Sequence, residues 1–128
     1  MNQNEYLEIA GKACLLLSHF LWNSKKAKAL FGMPQVTERL IFLIDFNQLI
    51  NESDPDTSID SLQEISFFAL LAMINLTKDN PNAQEISGGY GAIETIIKQL
   101  KNGVYDPKKT ACLCLSQLIE PPHNTSNQ

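Results

Sequence analysis

Three stretches of this chain carry one pattern of small and large apolar residues, and that repetition limits its folding more than any other feature. GKACLLLSHF ends at Phe20, FFALLAMINL at Leu76 and KKTACLCLSQL at Leu118. In one register Ala13, Ala69 and Ala111 coincide, as do Cys14, Leu70 and Cys112, then Leu17, Met73 and Leu115, then Phe20, Leu76 and Leu118. A recurring unit of this size does not bury its apolar face alone, so the copies must stack on one another. Ala69 to Ala111 is 42 residues and Ala13 to Ala69 is 56, and the 14-residue difference matches the length of 47–60. That stretch, with Glu52, Asp54, Asp56 and Asp60, is predicted to be a solvated acidic loop inserted between helices.

Helix start and stop signals divide the rest, and sustained period-two alternation is absent. A first helix is predicted from about Glu5 to Trp22, with Ile9, Ala13, Leu16, Leu17 and Phe20 as its core stripe. Asn23 and Ser24 cap a short basic helix, Lys25 to Phe31, that ends at Gly32. Pro34 then sits at a first helical position, where its missing N–H costs nothing, and opens a helix to about Phe46 that is apolar around most of its circumference. Ser61 with Glu64 reads as a capping box for a helix over Leu62 to Thr77. Asn80 and Pro81 start another short helix to about Ser87, and the Gly88-Gly89-Tyr90-Gly91 run ends it through positive φ. Ile93, Ile96, Ile97 and Leu100 form the stripe of the next helix, Ala92 to Lys101, with Lys98, Gln99 and Lys101 facing water and Gly103 closing it. Asp106 and Pro107 cap the last helix, whose core face is predicted to be Ala111, Leu113, Leu115, Leu118 and Ile119. Pro121 and Pro122 stop it, leaving a disordered tail over 121–128 behind a single domain over 1–120.

The unit that emerges is three helices: short, then longer after a glycine, then longer again. The short helix, glycine and longer helix are seen in KKAKALFGMPQVTERLIFLI and again in NAQEISGGYGAIETIIKQL, and the best family match is ALLAMINLTKDNPNAQEISGGYGAIETIIKQL. These stretches resemble the armadillo repeat family, over nearly all of residues 5–119 and best in the second unit. The resemblance implies an all-α fold, a right-handed α-solenoid of armadillo-like three-helix repeats. A HEAT-like helical repeat is the alternative, disfavoured by the separate short helix. The resemblance also implies a non-enzymatic protein-interaction module or adaptor that takes an extended peptide on the concave face of the third helices. Asn75 is the position at which such repeats grip a ligand backbone, because an amide both donates and accepts. His19 and Gln117 are its equivalents, so the asparagine ladder is incomplete. One turn earlier the chain carries Leu15, Leu71 and Leu113 where nuclear import receptors of the family carry tryptophan, which argues against basic import signals as ligands. Phe68 completes the expected groove.

Composition narrows the remaining classes. The net charge is −4 and the ten Lys and Arg residues are scattered, which argues against nucleic acid. The run Ile65 to Leu76 is interrupted by Ser66 and Asn75 and falls short of a membrane span, and Met1 to Tyr6 lacks a basic signal flank. An intracellular protein, cytoplasmic or nuclear, follows as the expectation, with Cys14, Cys112 and Cys114 as reduced thiols buried in the core. No catalytic, metal or cofactor site is expected. His19 and His123 are the only histidines, and Cys112, Cys114 and His123 fit no zinc spacing. GGYG lacks the Lys and Ser or Thr of a phosphate loop. In the Asp54–Asp60 stretch, Ile59 and Ile65 stand at the glycine and glutamate positions of a calcium loop. With barely more than two units, the terminal helices expose apolar sides. Those sides open the chain to pairing with itself as a homodimer, to a place as a structural or regulatory subunit of a larger assembly, or to being a piece of a longer solenoid.

Overall fold

The computed structural model describes residues 2–102 and 108–119, of which 108–110 by backbone alone. These residues are all-helical, with eight helices and no strand among them. Helix α1, Gln3–Leu21, starts where the Asn2 side chain accepts from the Glu5 N–H. Helix α2, Lys25–Phe31, is capped by Ser24 through the Ala27 N–H, and α3, Pro34–Ile44, begins on its proline. Then α5, Ile59–Thr77, follows after the inserted segment, and α6, Pro81–Gly89, α7, Ala92–Lys101, and α8, Lys108–Ile119, complete the order.

The expected acidic loop is half helix. Asp45 breaks α3 two residues early, accepts from the Asn47 and Gln48 N–H groups, and opens α4, Phe46–Glu52, whose Leu49 is fully buried. A buried leucine on the turn after an Asp cap is enough to hold a short helix that sequence polarity hides. The start of α5 also moves. Ser58, not Ser61, is its cap, accepting from the Ser61 N–H, so Ser61 lies inside the first turn. In α6 the chain stays helical through Gly88 and Gly89, and among the described glycines Gly91 alone takes positive φ, at 84°. Asn80 stands at the N-cap position of α6, as expected, but its side chain makes no capping bond there. Its amide turns back to the Leu76 carbonyl at the end of α5. The predicted features at Gly103, Asp106, Pro107 and 121–128 lie outside the described residues.

Helices α1 and α5 lie side by side and run in the same direction. Asn4 meets Asp54 and Thr57 at one end, Gly11 meets Ile65 midway, and Ser18 meets Asn75 at the other. Gly11 is required for that approach, since a Cβ there would stand 2.8 Å from Ile65 Cγ1. On its other side α5 meets α8, where Gln117 reaches Ile74.

Burial then sorts by position in this row of helices. Helix α1 buries Leu7, Gly11, Cys14, Ser18 and Leu21. The predicted stripe is overturned: Ile9, Leu16 and Phe20 are 57–61% exposed, Ala13 is exposed and Leu17 half-buried. Helix α8 buries Ala111, Cys114 and Leu118, while Leu113 and Ile119, predicted as core, are exposed. Between them α5 buries ten residues, including Leu62, Ala69, Leu70, Ala72, Met73, Ile74 and Leu76. In the register of the repeat, the exposed Ile9, Ala13, Leu16 and Phe20 correspond to Ile65, Ala69, Ala72 and Leu76, all buried. A helix with a neighbour on each side buries two stripes; one at the end of the row buries one. Each large aliphatic that α5 encloses is worth about 1.5–3 kcal/mol.

Helix α5 is also long and apolar enough to cross a membrane by length and composition, contrary to the sequence expectation, and half of that window is buried within the protein. Gln99, predicted to face water, is fully buried. Its Oε1 accepts from the Phe46 N–H and its Nε2 donates to Thr95 O. The thiols divide as well: Cys14 and Cys114 are buried and Cys112 is exposed, the opposite of the expectation for Cys112.

Candidate functional site

Because α5 is enclosed on most sides, the one stripe it leaves open to solvent is easily defined. Glu64 is exposed and Phe68, Leu71, Asn75 and Lys78 are half-buried, spaced four, three, four and three residues apart. The residues 56 positions earlier, Glu8, Lys12, Leu15 and His19, form the matching stripe of α1, and Leu113 and Gln117 continue it on α8. The seven residues singled out from the sequence, Leu15, His19, Phe68, Leu71, Asn75, Leu113 and Gln117, therefore fall on adjacent open stripes of three helices.

Asn75 and Gln117 are both engaged inside the molecule. Asn75 Nδ2 donates to Ser18 O at 2.8 Å, and Gln117 Nε2 donates to Ile74 O at 2.9 Å. Ser18 and Ile74 are equivalent positions 56 apart, so the two bonds repeat one contact between successive long helices. Each accepting carbonyl lies in the last turn of its helix, and the Ile74 carbonyl also accepts from the Lys78 N–H at 3.1 Å, so the Gln117 amide is a second donor to it. Gln117 Nε2 also lies 3.4 Å from Thr77 Oγ1. Beyond these bonds Asn75 keeps one N–H and its carbonyl oxygen for other partners, and Gln117 keeps its carbonyl oxygen. His19, the third position of the set, is exposed.

Toward the start of both helices the stripes border a cleft of about 340 Å³. Phe68 and Leu7 form its apolar floor and Glu8, Lys12 and Glu64 its charged rim. Lys12 pairs with Glu8 at 3.1 Å, and both side chains are mostly in water, so the pair contributes little stability. Asn4 closes this end, its Oδ1 accepting from the Asp54 N–H and the Thr57 hydroxyl. The acidic insertion is thus folded back against α1 and forms one wall of the cleft, a placement that composition alone gives no means of finding.

The opposite end of the row is set by two matching turns. Asn23 and Asp79 hold the same left-handed conformation, at φ 55° and 52°, and they too are 56 residues apart. Asn and Asp tolerate this region better than other non-glycine residues, which is the signal a sequence reader could have used. Beside the turns Lys78 Nζ sits 4.8 Å from the Trp22 ring centroid, again a pair of equivalent positions. Buried Lys28 donates to Lys78 O at 2.7 Å. Burial holds its pKa below the ordinary range, nearby Asp79 opposes that shift, and Lys78 adds to it.

A comparison with family models, curated proteins and solved structures gives no match. Among the described residues no group of three or more His, Cys, Asp or Glu side chains converges to hold a metal ion.

Proposed function

We propose that the chain is a short stack of armadillo-like repeats that binds another protein, taking an extended peptide along the open stripes of α1, α5 and α8. The repeat units in this reading are α2–α3–α5 and α6–α7–α8, with α1 as the third helix of an incomplete unit and α4 as part of the insertion. The observation that carries the reading is the recurrence of one amide-to-carbonyl contact, Asn75 to Ser18 and Gln117 to Ile74, at positions that the sequence repeat equates. Helices held in one register present equivalent side chains side by side, and such a surface is preformed and extended. Leu15, Leu71 and Leu113 then supply apolar contact. His19, with the second N–H and the oxygen of the Asn75 amide and the oxygen of the Gln117 amide, supplies bonds to a peptide backbone.

Selection of displayed peptides against the full chain tests this. Selected peptides are expected to lose about tenfold or more in affinity on Leu71→Glu, a half-buried position on the stripe, since a charge there opposes apolar contact. They are expected to be unaffected by Ile59→Ser, an exposed position at the start of α5. Peptides indifferent to Leu71→Glu would contradict it.

A second reading is favoured by a different observation, the exposed apolar row Ile9, Ala13, Leu16 and Phe20 on the outer side of α1. In that reading the chain is a subunit of a larger assembly, or a homodimer, joined through this end. Light scattering decides it. A mass above 14.3 kDa that returns to 14.3 kDa on Phe20→Glu favours contact through the end of the row.

A further inference from the structure

Two grooves of this molecule are equivalent by position, and one is filled while the other is open. The open groove runs between α1 and α3, has a volume of about 350 Å³, and is lined by Ala10, Ala13, Cys14, Leu17, Val36 and Leu43, among others. Adding 56 to each number gives Ser66, Ala69, Leu70, Met73, Ala92 and Gln99, every one of them buried. What covers that second groove is the broken corner between α3 and α4. Ser66 Oγ donates to Ile44 O at 2.6 Å, and Gln99 Oε1 accepts from the Phe46 N–H at 3.1 Å.

The exchanges between the two grooves say what the open one suits. At the helix break Ser66 and Gln99 each bond a backbone group of the corner, the Ile44 carbonyl and the Phe46 N–H. The corresponding residues of the open groove are Ala10 and Leu43, which have no polar side-chain atoms. An occupant there must satisfy its own backbone, as an unbroken helix does. At the rim the guanidinium of Arg39 lies 5.0 Å from the Tyr6 ring centroid and 4.8 Å from that of Phe42. Stacked in this way, with no ion pair among the described residues, it is placed to meet a carboxylate.

We propose that the groove between α1 and α3 is a docking site for an unbroken amphipathic helix of a partner protein, whose aliphatic side chains enter the groove while an acidic side chain meets Arg39. This surface lies on the far side of α1 from Leu15 and His19 and stands independently of the peptide-binding reading.

The test uses the full chain and two designed, fluorescein-labelled helical peptides. Both carry Leu at positions spaced three and four apart, and they differ only in bearing Glu or Lys beside that row. Fluorescence polarisation is expected to show the Glu peptide binding about tenfold more tightly than the Lys peptide. Arg39→Glu is expected to reverse that preference, and Ala13→Glu, at an exposed position, to abolish binding of both with unchanged circular dichroism. Asn75→Ala is expected to leave all of this unmoved. No binding, equal binding of the two peptides, or binding that survives Ala13→Glu overturns the proposal. So does self-association that Ala13→Glu dissolves, because the occupant is then a second copy of the chain.

Discussion

Helices α1 and α5 have the same length, 19 residues, and matching positions along most of it, yet they hold different parts of themselves in the core. Phe20 is 61% exposed while its counterpart Leu76 is fully buried, and Ile9, Ala13 and Leu16 differ in the same sense from Ile65, Ala69 and Ala72. The difference does not lie in the residues, which are apolar in both helices. It lies in the neighbours: α5 has the long helix α1 on one side and α8 on the other, whereas among the described residues α1 has a long helix, α5, on one side only. A repeated sequence thus states which side chains can be buried, and position in the row states which are.

The largest effect expected from breaking this contrast comes from truncating its two ends. Leu76→Ala should cost about 3 kcal/mol in chemical denaturation, the range for a large-to-small change in a closed core. Phe20→Ala should stay within about 0.5 kcal/mol, as exposed substitutions do. Equal costs would mean that Phe20 is covered in solution, which favours the assembly reading over a free end.

Glycines sharpen the same contrast at the next level. Gly11→Leu should lose about 1–3 kcal/mol, because the side chain must enter space that Ile65 occupies. Gly88 has nothing within 4 Å of the added Cβ, and there Gly88→Ala should be neutral or gain up to about 1 kcal/mol from helix propensity. Thermal unfolding of the two variants checks both signs.

Of the three equivalent polar positions, Asn75 is bonded across to α1 and His19 is exposed. Asn75→Ala should therefore cost about 1 kcal/mol, the net worth of a part-buried hydrogen bond, and His19→Ala close to nothing. Urea titrations with a common slope suffice to separate them.

At neutral pH the smallest expected effect is at the thiols, whose contribution changes only in alkali. Burial pushes Cys14 from 9.0 to about 11 and Cys114 to about 12. A thiol whose pKa is raised by folding gives its full stability below the unfolded value, and that stability is lost as pH climbs through the folded one. Stability should accordingly decline between pH 9 and about 12. Near neutral pH, iodoacetamide should modify the exposed Cys112 and reach the other two only on unfolding. Rapid modification of Cys14 would show that α1 detaches from α5.

Much of the helix order was legible because it rests on local chemistry. Ser24, Pro34 and Pro81 mark helix starts, and each stands within a residue of where the structure begins the element. Leu15, Phe68, Leu71 and Asn75 are half-buried on α1 and α5. What was hidden depends on distant neighbours. The predicted stripe of α1 failed because hydrophobic periodicity cannot tell a covered side from an end. Helix α4 was missed because Leu49 gains its burial from packing against α5. Gln99 was assigned to water because nothing local reveals that the backbone of Phe46 needs its oxygen.

The central claim is that α5 is the interior helix of a row in which α1 and α8 are the ends, and native-state hydrogen exchange tests it most directly. The account predicts that the amides of Leu70 to Leu76 exchange only through global unfolding, while those of Ala13 to Phe20 and Leu113 to Leu118 exchange through cheaper, partial openings. Protection of α1 equal to that of α5, or α5 exchanging before either neighbour, would contradict it.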